Sequence, residues 1–548
     1  MKTLKTDVLI IGGGSAGCLA AIAAKDVDSS LDVTIFEKGH IRRSGSLATG
    51  MDALNIVVIP GISTPEEYVK AVDKYLLHGI IDEELHHLLA ERSFAMLKKL
   101  ERWGIEFEKD DNGQYVLYEL FPDEKFIVPM KGWNLKPILA REVARRKVRV
   151  LNHTMATSLI SDFRRVYGAT GIDLRTGEFI VCLAKATILA TGGCARFGIP
   201  PSGYLFGTFD FPGNAGDGYA MAYRAGAILA GFEYLQYWLE VKDLNTPLGK
   251  EYWELGVKYL DSKGNEIHDD LEYSDPTLVR LLMNRETVYE KFSHLPEKTL
   301  KKIEQIIFSS ERKLPIIRFF KERRLDIRKD LIEYDFEEIC LCGGHGATGV
   351  KIDSNARTSL EGLYAAGDVA YVPGQMLTGA FVFGEIAGQS AANYAKTCDT
   401  SDINWDFIHK EEKRVFSPIK RTYGIKPSVF EFKLRRVITQ YLTPPRNEKK
   451  LRTALWWIQR FKTEDVNRLK ANDWHELGRA IETEFILDCA EMAARAALER
   501  KETRWGIHDY RSDFPERDDK NWLKHVLIRI DPETGEMIVF TSPVKRKT

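Results

Sequence analysis

Residues Thr6–Gly17 read TDVLIIGGGSAG, and this stretch decides the fold class of the chain. Val8–Ile11 is a short apolar run that predicts a buried parallel strand. The glycines that follow, Gly12, Gly14 and Gly17, match the G-x-G-x-x-G pattern of dinucleotide-binding loops. The first glycine permits a tight turn, the second lets a pyrophosphate lie against the backbone, and the third lets helix and strand pack closely.

A helix is predicted directly after these glycines. Cys18–Ala24 reads CLAAIAA, and the first N–H groups of such a helix, with Ser15 and Ala16 at its start, would face the phosphates of a dinucleotide. The alternative is an apolar signal or membrane segment, because residues 8–24 carry no charge. The clustered glycines, and the lack of an obvious cleavage site, argue against that alternative.

A second strand and an acidic residue complete the unit. Val33–Phe36 predicts the strand, and Glu37 follows it, 20 residues after Gly17. An acidic side chain at this distance can bind the ribose hydroxyls of a dinucleotide. Glu37 and the adjacent Lys38 are therefore assigned to the cofactor site.

Later turns rich in glycine and small residues predict further cofactor contacts. They follow predicted strands or precede predicted helices, where the backbone can approach a phosphate or a flat ring. Gly-Asp at the end of the apolar run 362–368 can hold the ribityl chain of a flavin, whereas the first glycine motif alone would equally suit NAD. The predicted cofactor-binding residues in these turns are Ser44, Gly45, Thr191, Gly192, Gly193, Asp217, Gly367, Asp368 and Thr378.

Composition excludes several other classes of protein. The chain has 548 residues, 44% hydrophobic residues and a formal net charge of −1, so no overall field favours nucleic acid or a membrane surface. Its seven cysteines are scattered, which predicts reduced thiols and a cytoplasmic location. Only Cys340 and Cys342 are closely spaced; a pair cannot complete a metal site, and both are predicted to be strand residues. No metal site of the chain's own and no membrane span are predicted.

The order of these segments predicts an interrupted α/β fold. Glycine-punctuated strands cover residues 1–235 and return at 336–400, and together they form a discontinuous Rossmann-type domain that binds the cofactor. Residues 236–335, richer in Tyr, Trp, Lys and Glu, predict an inserted α+β capping domain that contributes to the substrate site. Residues 401–548 predict a mainly helical C-terminal domain, with a hairpin around Asp531–Glu536.

The sequence GGGSAG, then ATGG, GDG and GLYAAGD, is similar to flavoprotein subunits of the fumarate reductase and succinate dehydrogenase superfamily. The sequences around Arg43-Ser44-Gly45, MDALN, GGHGATG and KETRW resemble one branch more closely, the alpha subunit of adenylylsulfate reductase. This resemblance implies FAD, a ferredoxin-like beta subunit that carries the [4Fe–4S] clusters, and conversion of adenylylsulfate to AMP and sulfite. Fumarate reductases usually attach flavin covalently to a histidine whose position matches Gly45, so the FAD is expected to be non-covalent.

The same resemblance implies three residues that act on the substrate. Asn55 and His345 match positions near the flavin and substrate, with His345 as hydrogen-bond donor or acid. Arg280 would attract an anionic group. The alternatives are a loop histidine that bonds only to the backbone and, for Arg280, an arginine on a surface helix.

Two departures leave the substrate open. Trp238 stands where fumarate reductases have a substrate-binding histidine, and Glu240 stands where the adenylylsulfate branch has an arginine. An anion at Glu240 would repel a sulfate or phosphate. A small anionic substrate is expected; the competing interpretations are an enzyme acting on an enoate or other organic acid, and a non-catalytic flavin subunit that relays electrons.

Overall fold

The fold is described from a computed structural model. It describes residues 1–49, 51, 53–132, 134–200, 210–244, 255–267, 276–309, 313–398 and 403–546. The β-strands are β1 Lys2–Ile11, β2 Val33–Glu37, β3 Ala53–Leu54, β4 Glu106–Phe107, β5 Tyr118–Phe121, β6 Glu124–Lys131, β7 Arg149–Asn152, β8 Thr154–Ser161, β9 Val166–Asp173, β10 Phe179–Leu189, β11 Leu229–Ala230, β12 Gln236–Val241, β13 Lys258–Leu260, β14 Glu266–Ile267, β15 Val288–Lys291, β16 Ile332–Cys340, β17 Gly349–Val350, β18 Leu363–Ala365, β19 Lys524–Ile530 and β20 Met537–Pro543.

The α-helices alternate with these strands in the first half of the chain and dominate after residue 403. They are α1 Ser15–Val27, α2 Pro65–Val72, α3 Glu83–Arg102, α4 Leu135–Arg145, α5 Asp217–Ala225, α6 Pro276–Asn284, α7 Glu297–Ser309, α8 Lys313–Arg323, α9 Met376–Ala395, α10 Trp405–Lys420, α11 Pro427–Tyr441, α12 Glu448–Arg460, α13 Trp474–Glu499 and α14 Asp519–Trp522.

The central sheet has the strand order β7-β2-β1-β10, and β18 pairs with the end of β10. All of these pairings are parallel; Val8 lies opposite Val33, and Thr187 lies opposite Leu363. The first half of β10 pairs antiparallel with β9, which pairs with β8. Parallel strands joined by helices are buried on both faces, which explains why Val8–Ile11 of β1 reads as a continuous apolar run. The predicted Rossmann-type sheet is therefore confirmed.

Helices α1 and α9 pack backbone to backbone on one face of this sheet. A Cβ atom at Gly384 would come within 2.5 Å of the Ala16 carbonyl oxygen, and one at Gly388 would overlap the carbonyl of Ala20. Both contacts shift by four residues in the same direction, so the helices run parallel and both begin at the carboxyl edge of the sheet. The sequence of Phe383–Ala395, FGEIAGQSAANYA, predicts a helix by itself, whereas helix α9 begins earlier, at Met376. The prediction missed the first two turns because they contain glycine and threonine.

The described residues between 236 and 340 form a separate antiparallel sheet with the order β12-β16-β15-β13-β14, accompanied by α6, α7 and α8. Strand β16 runs to Cys340, beyond the predicted boundary at 335. The described residues after 403 are mainly helical and end in the β19–β20 hairpin, in which Ile530 pairs with Met537. Strand β19 also pairs with β11, so the C-terminal hairpin joins a sheet whose other strands come from earlier in the chain. The domain boundaries themselves remain predictions.

Two local predictions need correction. Leucines at helical spacing and the Thr64–Pro65 start signal predict helix from residue 64 to residue 104. The structure has two α-helices there, because the chain turns at His78 and Gly79, which both have positive φ. Cys340 ends β16 as predicted, but Cys342 lies in the following loop, where its sulfur accepts a hydrogen bond from Gly344 N at 3.2 Å. The Gly343-Gly344 pair ends the strand there. In the part of the chain that the structure describes, no helix combines the length and the apolarity needed to cross a bilayer.

We predict that Gly388→Ala lowers the free energy of unfolding by about 1–3 kcal/mol, because its methyl group would overlap the backbone of α1. Gln389→Ala, the next residue of α9, removes side-chain atoms without touching this contact and serves as the control. Chemical denaturation of both variants gives the comparison. Equal stability of Gly388→Ala and the wild type would show that α1 and α9 are not in close contact.

Candidate functional site

A cavity lies at the carboxyl edge of the central sheet, between the loops that follow β1, β10 and β18. The space between the residues that line it is about 990 Å³, and part of this space is open to solvent. Most of the residues predicted to bind the cofactor line it. These are Gly12, Gly14, Ser15, Ala16, Glu37, Lys38, Gly45, Thr191, Gly192, Asp217, Gly367 and Asp368.

The glycine loop has the form that a dinucleotide requires. Gly12 has φ +103°, and a Cβ atom there would overlap the Ala190 carbonyl, so only glycine fits this turn. A Cβ atom at Gly14 would meet nothing within 4 Å, because Gly14 faces the open cavity. Helix α1 starts at Ser15 with no side-chain cap, which leaves its first N–H groups available to an anion.

Glu37 is fixed at the edge of this loop. Its carboxylate accepts hydrogen bonds from Gly13 N at 2.8 Å and Gly39 N at 2.6 Å. Only 5% of Glu37 is exposed, and it lines the cavity. Each carboxylate oxygen retains a lone pair, so Glu37 can still accept hydrogen bonds from ribose hydroxyls.

The remaining predicted cofactor residues are buried and are not among the residues that line the cavity. Gly17 and Gly193 contact the carbonyls of Gly12 and Leu341 so closely that a side chain would not fit at either position. The hydroxyls of Ser44 and Thr378 are buried and have no hydrogen-bond partner in the described part of the chain.

These unpartnered groups test whether FAD fits the site. Besides Ser44 and Thr378, the Thr191 hydroxyl and the Gln375 amide oxygen are buried without a partner among the described residues. Buried polar atoms are nearly always hydrogen-bonded in native proteins. Thr191 lines the cavity, and a ligand rich in hydroxyl, phosphate and ring heteroatoms would satisfy its hydroxyl there, so the residues present fit FAD.

Lys38 and Asp217 form an ion pair that the sequence did not indicate. Lys38 Nζ lies 2.7 Å from Asp217 and 3.0 Å from Glu482 of α13, and Glu482 also bonds to Arg196 at 2.6 Å. Burial alone would lower the pKa of Lys38, but the two carboxylates outweigh this effect and raise it. This buried network therefore ties the C-terminal helices to the wall of the cavity.

His345 is the one member of the predicted catalytic trio that lines the cavity. Its loop is held by the start of α9, because Met376 N donates to Gly344 O and Gly374 N donates to Gly346 O, both at 3.0 Å. Met376 itself has φ +50°, a strained conformation for a residue with a side chain.

The other two members of the trio lie elsewhere. Asn55 follows β3, is half-buried and is not among the lining residues. Arg280 is on the exposed side of α6 and pairs with Glu286 at 3.3 Å, with half of its side chain exposed. Trp238 and Glu240 belong to β12, but their side chains are outside the described part of the structure.

A second carboxylate in the cavity was missed because no motif marks it. Asp210 is 4% exposed, lines the cavity and lies within electrostatic range of Asp368. Burial, followed by the charge of Asp210, raises the pKa of Asp368 to about 7, against the opposing hydrogen bond from Cys342. Among the described residues no group of three or more His, Cys, Asp and Glu side chains is arranged to hold a metal ion.

We predict that Asp210→Asn stabilises the FAD-free protein at pH 8, and that the gain shrinks towards pH 5. The pKa of Asp368 is higher in the folded protein than in an unfolded chain, where it is about 3.9. The folded state therefore binds the proton more tightly, and the free energy of unfolding falls as pH rises from about 4 to 7. Removing the charge of Asp210 lowers the pKa of Asp368, so the free energy of unfolding falls less as the pH rises. Thermal melts across this pH range test the prediction, with exposed Asp111→Asn as control; a variant less stable than the wild type at pH 8 would contradict it.

Comparison with known proteins agrees with this site. The FAD binding domain family matches residues 7–382, and the family described as fumarate reductase flavoprotein C-term matches residues 431–548. An uncharacterized FAD-dependent oxidoreductase of Methanocaldococcus jannaschii is 28% identical, covering 96% of each chain. A component of the CoM/CoB fumarate reductase of Methanothermobacter marburgensis is 27% identical, covering 96% of this chain and 98% of that protein.

The adenylylsulfate reductase structure from Archaeoglobus fulgidus is similar along the full length of the chain. It has a TM-score of 0.88 and 25% sequence identity, and the alignment covers 100% of this chain and 96% of that one. The predicted FAD-binding α/β fold with a helical C-terminal region is thereby confirmed. The chain belongs to the FAD binding domain family and is an FAD-dependent oxidoreductase of the fumarate reductase and adenylylsulfate reductase type.

Proposed function

We propose that the chain is the flavoprotein subunit of a two-component oxidoreductase. A small anionic substrate would react beside His345, and electrons would be exchanged with a separate ferredoxin-like iron–sulfur subunit in the cytoplasm. The observation that carries this proposal is the position of His345, which lines the same cavity as the dinucleotide-binding loop. The free cysteines, which are mostly buried, support the cytoplasmic assignment.

Bound FAD would supply redox chemistry that accepts and donates one or two electrons. The chain's own residues would bind and orient FAD and the substrate, and they would hold or transfer protons. Gly14 and the start of α1 would bind the phosphates, and Glu37 the ribose. Reducing an enoate consumes two electrons and two protons, whereas reducing adenylylsulfate to fully ionised AMP and sulfite consumes two electrons and no proton. His345 and the buried Asp368 are ionisable groups that can hold a proton at the cavity wall.

The first candidate substrate is adenylylsulfate, which would be reduced to AMP and sulfite. Support comes from the full-length similarity to the Archaeoglobus fulgidus reductase and from the match of Asn55 and His345 to that branch. The exposed position of Arg280 gives this substrate no cation from the expected residue.

The second candidate is fumarate or another enoate. The specific observation that favours it is the relative from Methanothermobacter marburgensis, which is named as part of a fumarate reductase and aligns over nearly the whole chain. An electron-relay subunit without its own substrate is the remaining alternative.

Two assays on the FAD-loaded chain separate these alternatives. AMP with sulfite and ferricyanide tests the adenylylsulfate reaction in the oxidising direction. Fumarate and a panel of enoates with reduced viologen test the second candidate. Turnover in one assay identifies the substrate class, whereas no turnover in either, together with rapid electron exchange with an iron–sulfur protein, indicates a relay subunit. Co-purification of a brown iron–sulfur protein tests the proposed partner independently.

We predict that His345→Ala lowers turnover in the productive assay by roughly 100-fold, because a hydrogen-bond donor or acid at the cavity wall is lost. FAD content should stay unchanged, since His345 is not in the dinucleotide loop. His409→Ala, on an exposed part of α10, is the matched control. Unchanged turnover in His345→Ala, with FAD bound, would remove His345 from the reaction.

A further inference from the structure

A buried lysine lies beneath the dinucleotide loop, and neither the motifs nor the cavity lining includes it. Lys136 is the second residue of α4, which packs against α1. Only 3% of Lys136 is exposed. Lysine is almost never buried to this extent unless its ammonium group is paired with an anion.

The contacts of Lys136 contain no such anion. Its Nζ donates a hydrogen bond to the Gly13 carbonyl oxygen and lies 4.0 Å from the sulfur of Cys18. No carboxylate lies within 4 Å of Nζ in the described ranges of the chain. Glu37 bonds to the same glycine from its other side, through Gly13 N at 2.8 Å. Burying an ammonium group that bonds to a carbonyl but to no carboxylate costs desolvation free energy, and the hydrogen bond to the carbonyl offsets little of this cost.

The bond to Gly13 also determines the direction of the next N–H group. The peptide between Gly13 and Gly14 is trans, so its C=O and N–H point in opposite directions. The C=O points to Lys136, and the N–H of Gly14 therefore points away from it. Gly14 lines the cavity, and its N–H has no acceptor among the described residues. Lys136, together with the Cys18 thiol that donates to the same carbonyl oxygen at 3.3 Å, thus holds this donor in an orientation suited to an anion.

The charges around the cavity show why a cation is needed there. Among the described lining residues the acidic ones are Glu37, Asp210, Asp217 and Asp368, and Lys38, the one lysine or arginine there, is already paired with Asp217 and Glu482. The pyrophosphate of FAD would add further negative charge to this wall. Backbone N–H groups contribute only partial positive charges.

We propose that Lys136 is a positioning residue for the FAD pyrophosphate. It orients the Gly14 N–H through the Gly13 carbonyl, and it supplies the positive charge that balances the phosphates from behind the loop. FAD binding would bring a negative charge near Lys136, which the described residues do not place within 4 Å of its ammonium group. This role of Lys136 requires that the chain binds FAD, but it does not depend on which substrate reacts, so it is tested separately from the proposed reaction.

A purely structural role, in which Lys136 only joins α4 to the loop, makes opposite predictions. A structural lysine would stabilise the FAD-free protein and affect every ligand equally. A buried lysine whose anionic partner is the ligand lowers the stability of the FAD-free protein, and it strengthens the binding only of ligands that carry phosphate. Riboflavin, which has no phosphate, provides this comparison.

The experiment uses Lys136→Met in the full-length chain stripped of FAD. Lys25→Met is the matched control, since Lys25 also donates to backbone carbonyls but at the opposite end of α1. Titrations give the dissociation constants for FAD and for riboflavin, and thermal melts give the stability without ligand. Lys136→Gln, which keeps a hydrogen-bond donor without the charge, replaces the methionine variant if that variant does not fold.

We expect Lys136→Met to raise the dissociation constant for FAD by about tenfold or more and to leave that for riboflavin unchanged. The FAD-free variant should be at least as stable as the wild type, and Lys25→Met should leave both dissociation constants unchanged. An unchanged FAD dissociation constant, or equal losses for FAD and riboflavin, would overturn the proposal.

Discussion

The contact between α1 and α9 is the constraint on which the rest of the structure depends. Ala16 and Ala20 of one helix meet Gly384 and Gly388 of the other with no room for a side chain. These helices are more than 300 residues apart in sequence, so the chain that leaves the central sheet after β10 must return to it at β18. Their parallel packing brings the starts of both helices to the cavity, where Ser15 and Met376 form part of the lining.

Charge is the second feature that links the parts of the molecule. The cavity wall is acidic, yet its cofactor is an anion, and the compensating cations lie beside or behind the wall. Lys38 and Arg196 reach Glu482 of the C-terminal helices, while Lys136 reaches the loop from α4. The cofactor site therefore depends on segments far outside the dinucleotide-binding unit, and folding of the C-terminal helices and formation of the site are coupled.

The sequence predicted those features that depend on local chemistry. Particular residues at fixed spacings are needed in the glycine loop, at the acidic end of β2 and in the Gly-Asp turn at 367–368. These features could therefore be predicted from the sequence before the fold was known. Asp210 and Lys136 belong to no motif, and only tertiary packing brings them to the cavity. For Arg280 the family resemblance identified a candidate substrate-binding arginine from the sequence. The resemblance could not show the surroundings of this residue, and the structure leaves half of its side chain exposed.

The most direct measurement of the central claim is the flavin content of the purified full-length chain, before and after acid precipitation. A chain built as described should bind one FAD per molecule, and acid should release all of it into the supernatant, because Gly45 offers no side chain for a covalent link. A yellow protein pellet would show a covalent bond. A chain that binds no FAD when reconstituted, or that binds NAD in its place, would contradict the assignment of the cavity.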